Sequence, residues 1–199
     1  ANFFEQIEGI YDDFKINITK DNLPFDKYMI SDWQACVDSD KYQRTITLDQ
    51  DGDYIITIEY ADKSGNQMEY SYPDENLSGV YTYQSYMMTR DTTAPIINVS
   101  FDHHNEDSSK YYNKSRTAYV EVVEKNLSTN DVYINISAKD MLGNTINLKQ
   151  NSLVKSWDKD SGDVWKTTIS FNEDAIYSLN ISCKDLAGNE SKNYKGDSF

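Results

Sequence analysis

The chain has 199 residues, enough for one large domain or two small ones at about 100–150 residues each. With 38% hydrophobic residues, 16 Tyr, only three Pro and only eight Gly, it is neither disordered nor collagen-like. A net charge of −14 argues against nucleic acid and anionic membrane surfaces as partners. No apolar run approaches the roughly 18–20 residues of a membrane span, so no membrane insertion is expected.

The charge divides unevenly. Residues 1–91 hold 18 Asp+Glu against 7 Lys+Arg, a net −11, and residues 92–199 hold 15 against 12, a net −3. That asymmetry predicts two domains, 1–91 and 92–199. Two cysteines, Cys36 and Cys183, cannot build a disulfide scaffold, and their non-equivalent places predict no bond between them. Neither end carries a leader or sorting signal, which predicts an excised part of a longer chain.

In chain order, Phe3, Ile7, Ile10, Tyr11 and Phe14 are spaced as one helical face, so a short helical turn is expected over residues 4–12. From there the chain repeats itself. Under a shift of 123 positions, Thr45–Leu48 falls on Thr168–Phe171; Tyr54, Ile56 and Ile58 fall on Tyr177, Leu179 and Ile181; Asp62, Gly65 and Asn66 fall on Asp185, Gly188 and Asn189. With small register changes, Phe14–Thr19 overlays Val132–Ser137, Trp33 overlays Trp157, and Asn2-Phe3 overlays Asn126-Leu127. Such self-similarity decides architecture before any local assignment. The first copy lacks a counterpart of residues 92–125, so it is expected to be truncated of its first two strands. It also carries about ten extra residues near Pro73–Tyr83. Pro95 in Asp91–Pro95 suits a stiff linker entering an edge strand.

The second copy reads as strands throughout. Val132, Ile134, Ile136 and Ala138 alternate with polar residues, as do Tyr177, Leu179, Ile181 and Cys183, which predicts half-buried strands with one wet face. Further strands are expected at Ile97–Phe101, Arg116–Val123, Thr145–Leu148, Val164–Phe171 and near Glu190–Tyr194. About seven short strands in roughly 105 residues is a two-sheet sandwich pattern. The expected core comprises Ile16, Ile18, Trp33, Ile46, Leu48, Tyr54, Ile56 and Ile58 in the first unit. In the second it comprises Val120, Val122, Ile134, Ile136, Trp157, Ile169, Phe171, Tyr177, Leu179 and Ile181.

Asp91-Thr-Thr-Ala-Pro95, then Arg116 with Glu124 and Asn126, Trp157, Tyr177 and Asp185-Leu-Ala-Gly-Asn189 together resemble the bacterial immunoglobulin-like repeats of Gram-positive surface proteins. The resemblance covers nearly the whole chain. It implies an all-β fold of two tandem immunoglobulin-like β-sandwiches, the first N-terminally truncated. It also implies an extracellular, cell-wall-associated location and a spacer, presenting or adhesion role beside neighbouring domains of a parent protein. Some such repeats flank extracellular enzymes, so an accessory module of a secreted glycosidase is a further expectation.

The candidate sites are few. Asp-x-x-Gly-Asn occurs at Asp62–Asn66, Asp140–Asn144 and Asp185–Asn189; Asp caps such a turn and Gly supplies positive φ. Each motif offers calcium one strong ligand, where about six to eight oxygens are needed. Asp49, Asp51 and Asp53 are the better calcium candidates, and Asp158, Asp160 and Asp163 form a similar group, although turns before strands favour Asp anyway. A cation bridging the two units through Asp91 belongs to the same class. No metal and no other cofactor is therefore expected, with calcium as the alternative. His103 and His104 are adjacent and point apart on an extended chain, so they do not grip one metal. No Gly-x-Ser-x-Gly, His-Glu-x-x-His or phosphate-loop pattern is present, so no catalytic residues and no enzyme activity are expected. Tyr81, Tyr83 and Tyr86 are the first place to look for a surface that stacks on a host glycan or anchors a host protein. Tyrosine is also simply a good strand residue. Eight Asn-x-Ser/Thr sequons read as a product of Asn-rich composition.

Overall fold

A computed structural model describes residues 2–6, 14–37, 41–61, 66–67, 84–102, 112, 114–149, 153–196 and 198–199. The chain forms two compact units, Ala1–Asp91 and Thr92–Phe199. Both are built of antiparallel β-sheets.

The first unit holds β1 (Asn2–Gln6), β2 (Lys15–Lys20), β3 (Leu23–Pro24), β4 (Met29–Ile30), β5 (Gln34–Ala35), β6 (Lys41–Thr47), β7 (Gly52–Glu59) and β8 (Gln84–Arg90). One sheet runs β3-β2-β7-β8, and the other is built on β6, which pairs with β1, β4 and β5. The β2–β3 hairpin closes through Asp21 (φ 52°) and Asn22 (φ 65°). Asp and Asn accept the left-handed conformation that a two-residue hairpin demands. Residues 4–6, expected as the start of a helical turn, are instead strand: β1 pairs with β6 from Asn2↔Thr45 to Gln6↔Lys41. A helix of nine residues is marginal in water, and an open strand edge offers the same backbone groups immediate partners. Residues 7–12 lie outside the described residues.

Ile18, Ile46, Tyr54, Ile56 and Ile58 form the buried cluster of this unit, with Ile16, Leu48, Phe14, Phe25 and Tyr28 packed against it. Ile46 comes from the β6 sheet and the others from β2 and β7, so both sheets feed one core. Trp33, expected in that core, lies outside the cluster. Its ring meets Phe14 edge-on at 5.2 Å and carries the Arg44 guanidinium at 4.9 Å. Arg44 is fixed there because it donates to the Ser31 carbonyl through Nε (3.2 Å) and Nη2 (3.0 Å). A cation held over the indole face competes with burial of that face.

The second unit holds β9 (Ile96–Phe101), β10 (Arg116–Val123), β11 (Leu127–Lys139), β12 (Thr145–Ile146), β13 (Asp158–Lys159), β14 (Val164–Phe171), β15 (Ile176–Asp185) and β16 (Tyr194–Lys195). Its sheets run β13-β14-β10-β9 and β12-β11-β15-β16. Alternation decides which side chains face inward. Ala118, Val120, Ile169 and Phe171 from the first sheet bury against Ile136, Ala138, Tyr177, Leu179 and Ile181 from the second. Ile134 and Trp157 are partly buried and pack against this cluster. Ala118 and Ala138 complete the packing, small residues set opposite large ones. Phe199 also packs there, edge-on to Phe101 (5.2 Å) and Phe171 (5.1 Å), its backbone paired with Tyr177. Beyond this core, Val122, Leu127 and Cys183 form a smaller buried cluster.

Candidate functional site

The Asp-x-x-Gly-Asn motifs of the second unit are closed structures. Asp140 Oδ1 accepts the amides of Leu142 and Asn144, each at 2.8 Å, and Oδ2 accepts Asn144 Nδ2 at 2.8 Å. Asp185 repeats this with Asn189, whose amide and Nδ2 each donate at 2.8 Å. Gly143 (φ 87°) and Gly188 (φ 94°) supply the left-handed residue. The hydrogen bonds from Asn144, side chain first, hold the Asp140 carboxyl below the ordinary carboxylate value. Asp62 and Gly65 of the third motif lie outside the described residues.

The two aspartate groups do not converge. Asp51 is ion-paired to Arg90. Asp53 accepts the Thr89 hydroxyl at 2.8 Å. Asp49 is exposed. In the second unit, Asp160 pairs with Lys166 at 2.6 Å, the Asp163 carbonyl accepts the Glu124 amide at 2.7 Å, and Asp158 stands exposed on β13. Neither trio brings three ligand oxygens together.

The acids that do meet are Glu124 and Asp185. They are 6% and 4% exposed, and a carboxylate oxygen of each lies within 4.8 Å of the other. Glu124 Oε1 accepts the Asn126 amide at 2.7 Å, and the Asn126 carbonyl accepts the Leu186 amide at 2.9 Å. The end of β10 is thus tied to the turn after β15. The pattern carrying both acids was visible in the sequence. Ala118, Val120 and Val122 face inward, so the next residue of that parity is Glu124; Tyr177, Leu179, Ile181 and Cys183 face inward, so the next is Asp185. Hard oxygen ligands of this kind suit a cation such as calcium, and backbone carbonyls would have to fill most of its remaining positions. Beside them Cys183 is a free, buried thiol whose pKa burial pushes up. It is a poor nucleophile, since the thiolate is the reactive form. Cys36 is also a free thiol.

Of the tyrosines expected to form a binding surface, Tyr81 and Tyr83 lie outside the described residues, as do His103 and His104. Tyr86 sits on β8, the edge strand of its sheet. It pairs with the buried Ile56 and so shares the core side of the sheet, 36% exposed. Met87, on the opposite side and paired with Ile55, is 84% exposed. The most open apolar side chain described on β8 is therefore Met87, on the outer face beside Ile55.

The chain matches no protein-family model and no curated protein.

Proposed function

We propose that the chain is a non-catalytic extracellular module of a bacterial, Gram-positive surface protein. On this reading it is two tandem immunoglobulin-like sandwiches that position and present neighbouring domains of the parent chain. The observation that carries the reading is internal engagement of the recurring polar residues. Asp140 and Asp185 serve their own turns, Asp51 is held by Arg90, and Asp160 is held by Lys166.

The pairing registers support a duplicated unit. Ile16↔Ile58 and Ile18↔Ile56 between β2 and β7 correspond to Ile134↔Ile181 and Ile136↔Leu179 between β11 and β15. Asn2↔Thr45 corresponds to Tyr119↔Thr168, because Thr45 overlays Thr168 in the repeat. Within this reading β1 stands where β10 does, and not at the Asn126-Leu127 position expected from the overlay, so the described first unit has a counterpart of β10 and lacks one of β9 alone instead of both opening strands. The acidic character of the chain resists self-association of many copies on a crowded surface.

Single-molecule pulling of the intact chain tests the role. Two separate unfolding steps under load, with the catalytic repertoire of common hydrolase substrates silent, fit a presenting module. A chain that extends without a resisting step, or that turns over a substrate, sinks it. The second reading, a surface for a host protein or glycan at Tyr81–Tyr86, is favoured by the exposed Met87 and half-exposed Met88. Capture of such a ligand that is lost in both Tyr86→Ala and Met87→Ser would replace the first reading.

A further inference from the structure

The sheet β13-β14-β10-β9 has a second face. Ala118 and Val120 are fully buried, so Tyr119 and Glu121 project away from the core. Pairing sets Tyr119 between Thr168 and Ser100, and Glu121 beside Lys166. The segment before β13 runs alongside: Val154 bridges to Ile169, and the Lys155 amide donates to the Thr168 carbonyl at 3.0 Å. Between this segment and the sheet lies a groove of about 490 Å³, inside the range of about 300–1,000 Å³ typical of small-molecule sites.

Its lining is unlike the acid turns described above. Ser100, Tyr119, Lys155, Ser156 and Asp158 line it with no side-chain hydrogen bond or ion pair to any described residue. The Thr168 hydroxyl is buried there without a partner. Hydroxyls, one carboxylate and one ammonium are thus gathered in a concavity around a ring that is 47% exposed. The formal charges cancel, Lys155 and Lys166 against Glu121 and Asp158, on a chain whose net charge is −14. A polyanion finds no excess of cations in such a groove. A peptide finds no apolar recess for alternate side chains. A neutral sugar ring needs what is present: a flat aromatic face for its C–H surface, and mixed donors and acceptors for hydroxyls that both give and take hydrogen bonds.

We propose that this groove binds a neutral hexopyranose unit of a polysaccharide, its ring stacked on Tyr119 and its hydroxyls held by Asp158, Lys155 and Ser156. The inference goes beyond the presenting role and does not depend on it. A presenting module needs no such groove, and failure here leaves that role intact.

The test uses the intact chain on an array of neutral oligosaccharides, acidic oligosaccharides and peptides, with the strongest neutral ligand then titrated by NMR. A shallow site with few anchors predicts a weak Kd, about millimolar to tens of micromolar. Tyr119→Ala and Asp158→Ala are each expected to weaken binding at least about tenfold, and Tyr119→Phe to retain it. Both positions are exposed, so thermal melts of the variants should coincide with the parent and exclude unfolding as the cause. Tyr133→Ala, an exposed tyrosine on the other sheet of the same unit, should leave the affinity unchanged. The proposal is overturned if no neutral glycan binds saturably, if acidic glycans or peptides bind preferentially, or if a bound neutral glycan is indifferent to Tyr119→Ala.

Discussion

The Tyr177 hydroxyl donates to the Glu173 carbonyl at 2.9 Å and accepts the Glu173 amide at 3.1 Å, while the ring packs on Phe171 in the core. In the first unit Tyr54 does the equivalent, its hydroxyl donating to the Gln50 carbonyl at 2.7 Å. A tyrosine here fills the core with its ring and ties down the turn four residues earlier with its hydroxyl. Tyr177→Phe keeps the ring and leaves the Glu173 groups to find water, so it should cost about 1 kcal/mol. Urea unfolding of the second unit is the measurement, with a lower midpoint and an unchanged slope expected. Burial raises the Tyr177 pKa above its ordinary value of 10.0. The folded state therefore holds the phenolic proton more tightly than the unfolded one. That stabilisation is complete below the unfolded pKa and is lost as pH rises through the folded pKa. Tyr177→Phe should flatten the alkaline fall in stability.

Leu179 and Trp157 pack against the same cluster to different depths. Leu179 is fully buried at the centre, and Leu179→Ala should destabilise the second unit by about 2–5 kcal/mol through lost transfer energy and a cavity. Trp157 is only partly buried and packs against the cluster from its margin. Removing it leaves a dent that water can enter, so Trp157→Ala should cost less, about 2 kcal/mol. Equal midpoint shifts for the two variants would show that Trp157 carries more of the core than its exposure implies.

The strand interiors were legible in the sequence because a period of two has one meaning once one face is buried. Ile136, Tyr177, Leu179 and Ile181 are where alternation puts them. The same parity, carried one residue past each apolar run, would have found Glu124 and Asp185, but an acid at a run's end reads as the start of a loop. Residues 4–6 read as helix because their spacing is local, whereas the partner that makes them a strand, Lys41–Gln43, is more than thirty residues away. Trp33 was misplaced for a related reason: a repeat alignment transfers position and not the Arg44 side chain that holds the indole. The groove at Tyr119 was invisible. Its lining comes from residues 100, 119, 155–158 and 168, and only sheet register brings those numbers together.

Asp140 and Asp185 make the same turn in different surroundings, which separates the turn's own contribution from that of burial. Asp140 is half-buried and Asp185 buried. Asp185→Ala leaves the amide and Nδ2 of Asn189 without their acceptor in a dry setting, and should cost about 1–3 kcal/mol. Asp140→Ala lets water replace the carboxylate, and its effect on the midpoint should be clearly smaller. Denaturant melts of the two variants side by side decide it. The reverse order would mean that the turn after β11 matters more to the fold than the one after β15.

The Asp160–Lys166 pair gives the acid limb a specific contribution. Lys166 donates to Asp160 at 2.6 Å, and that hydrogen bond, with the Ser161 amide next, holds the Asp160 carboxyl below its ordinary value of 3.8. With a folded pKa below the unfolded one, the stabilisation is present above the unfolded value and is lost as pH falls through the folded value. The pair is half exposed, so salt screens the charge part of the interaction. A carbon-detected NMR titration should find the Asp160 midpoint depressed in the parent and restored to the ordinary range in Lys166→Gln. Added sodium chloride should reduce the depression without abolishing it, because the Ser161 amide still donates at 2.8 Å. At the other extreme, Lys166 is held above 10.5 by Asp160 first and Glu121 second. Its contribution is complete below that value and fades as pH climbs past the raised one. An Asp160 midpoint unmoved by Lys166→Gln would mean that the Ser161 amide alone sets it, and that the ammonium is free to serve the groove.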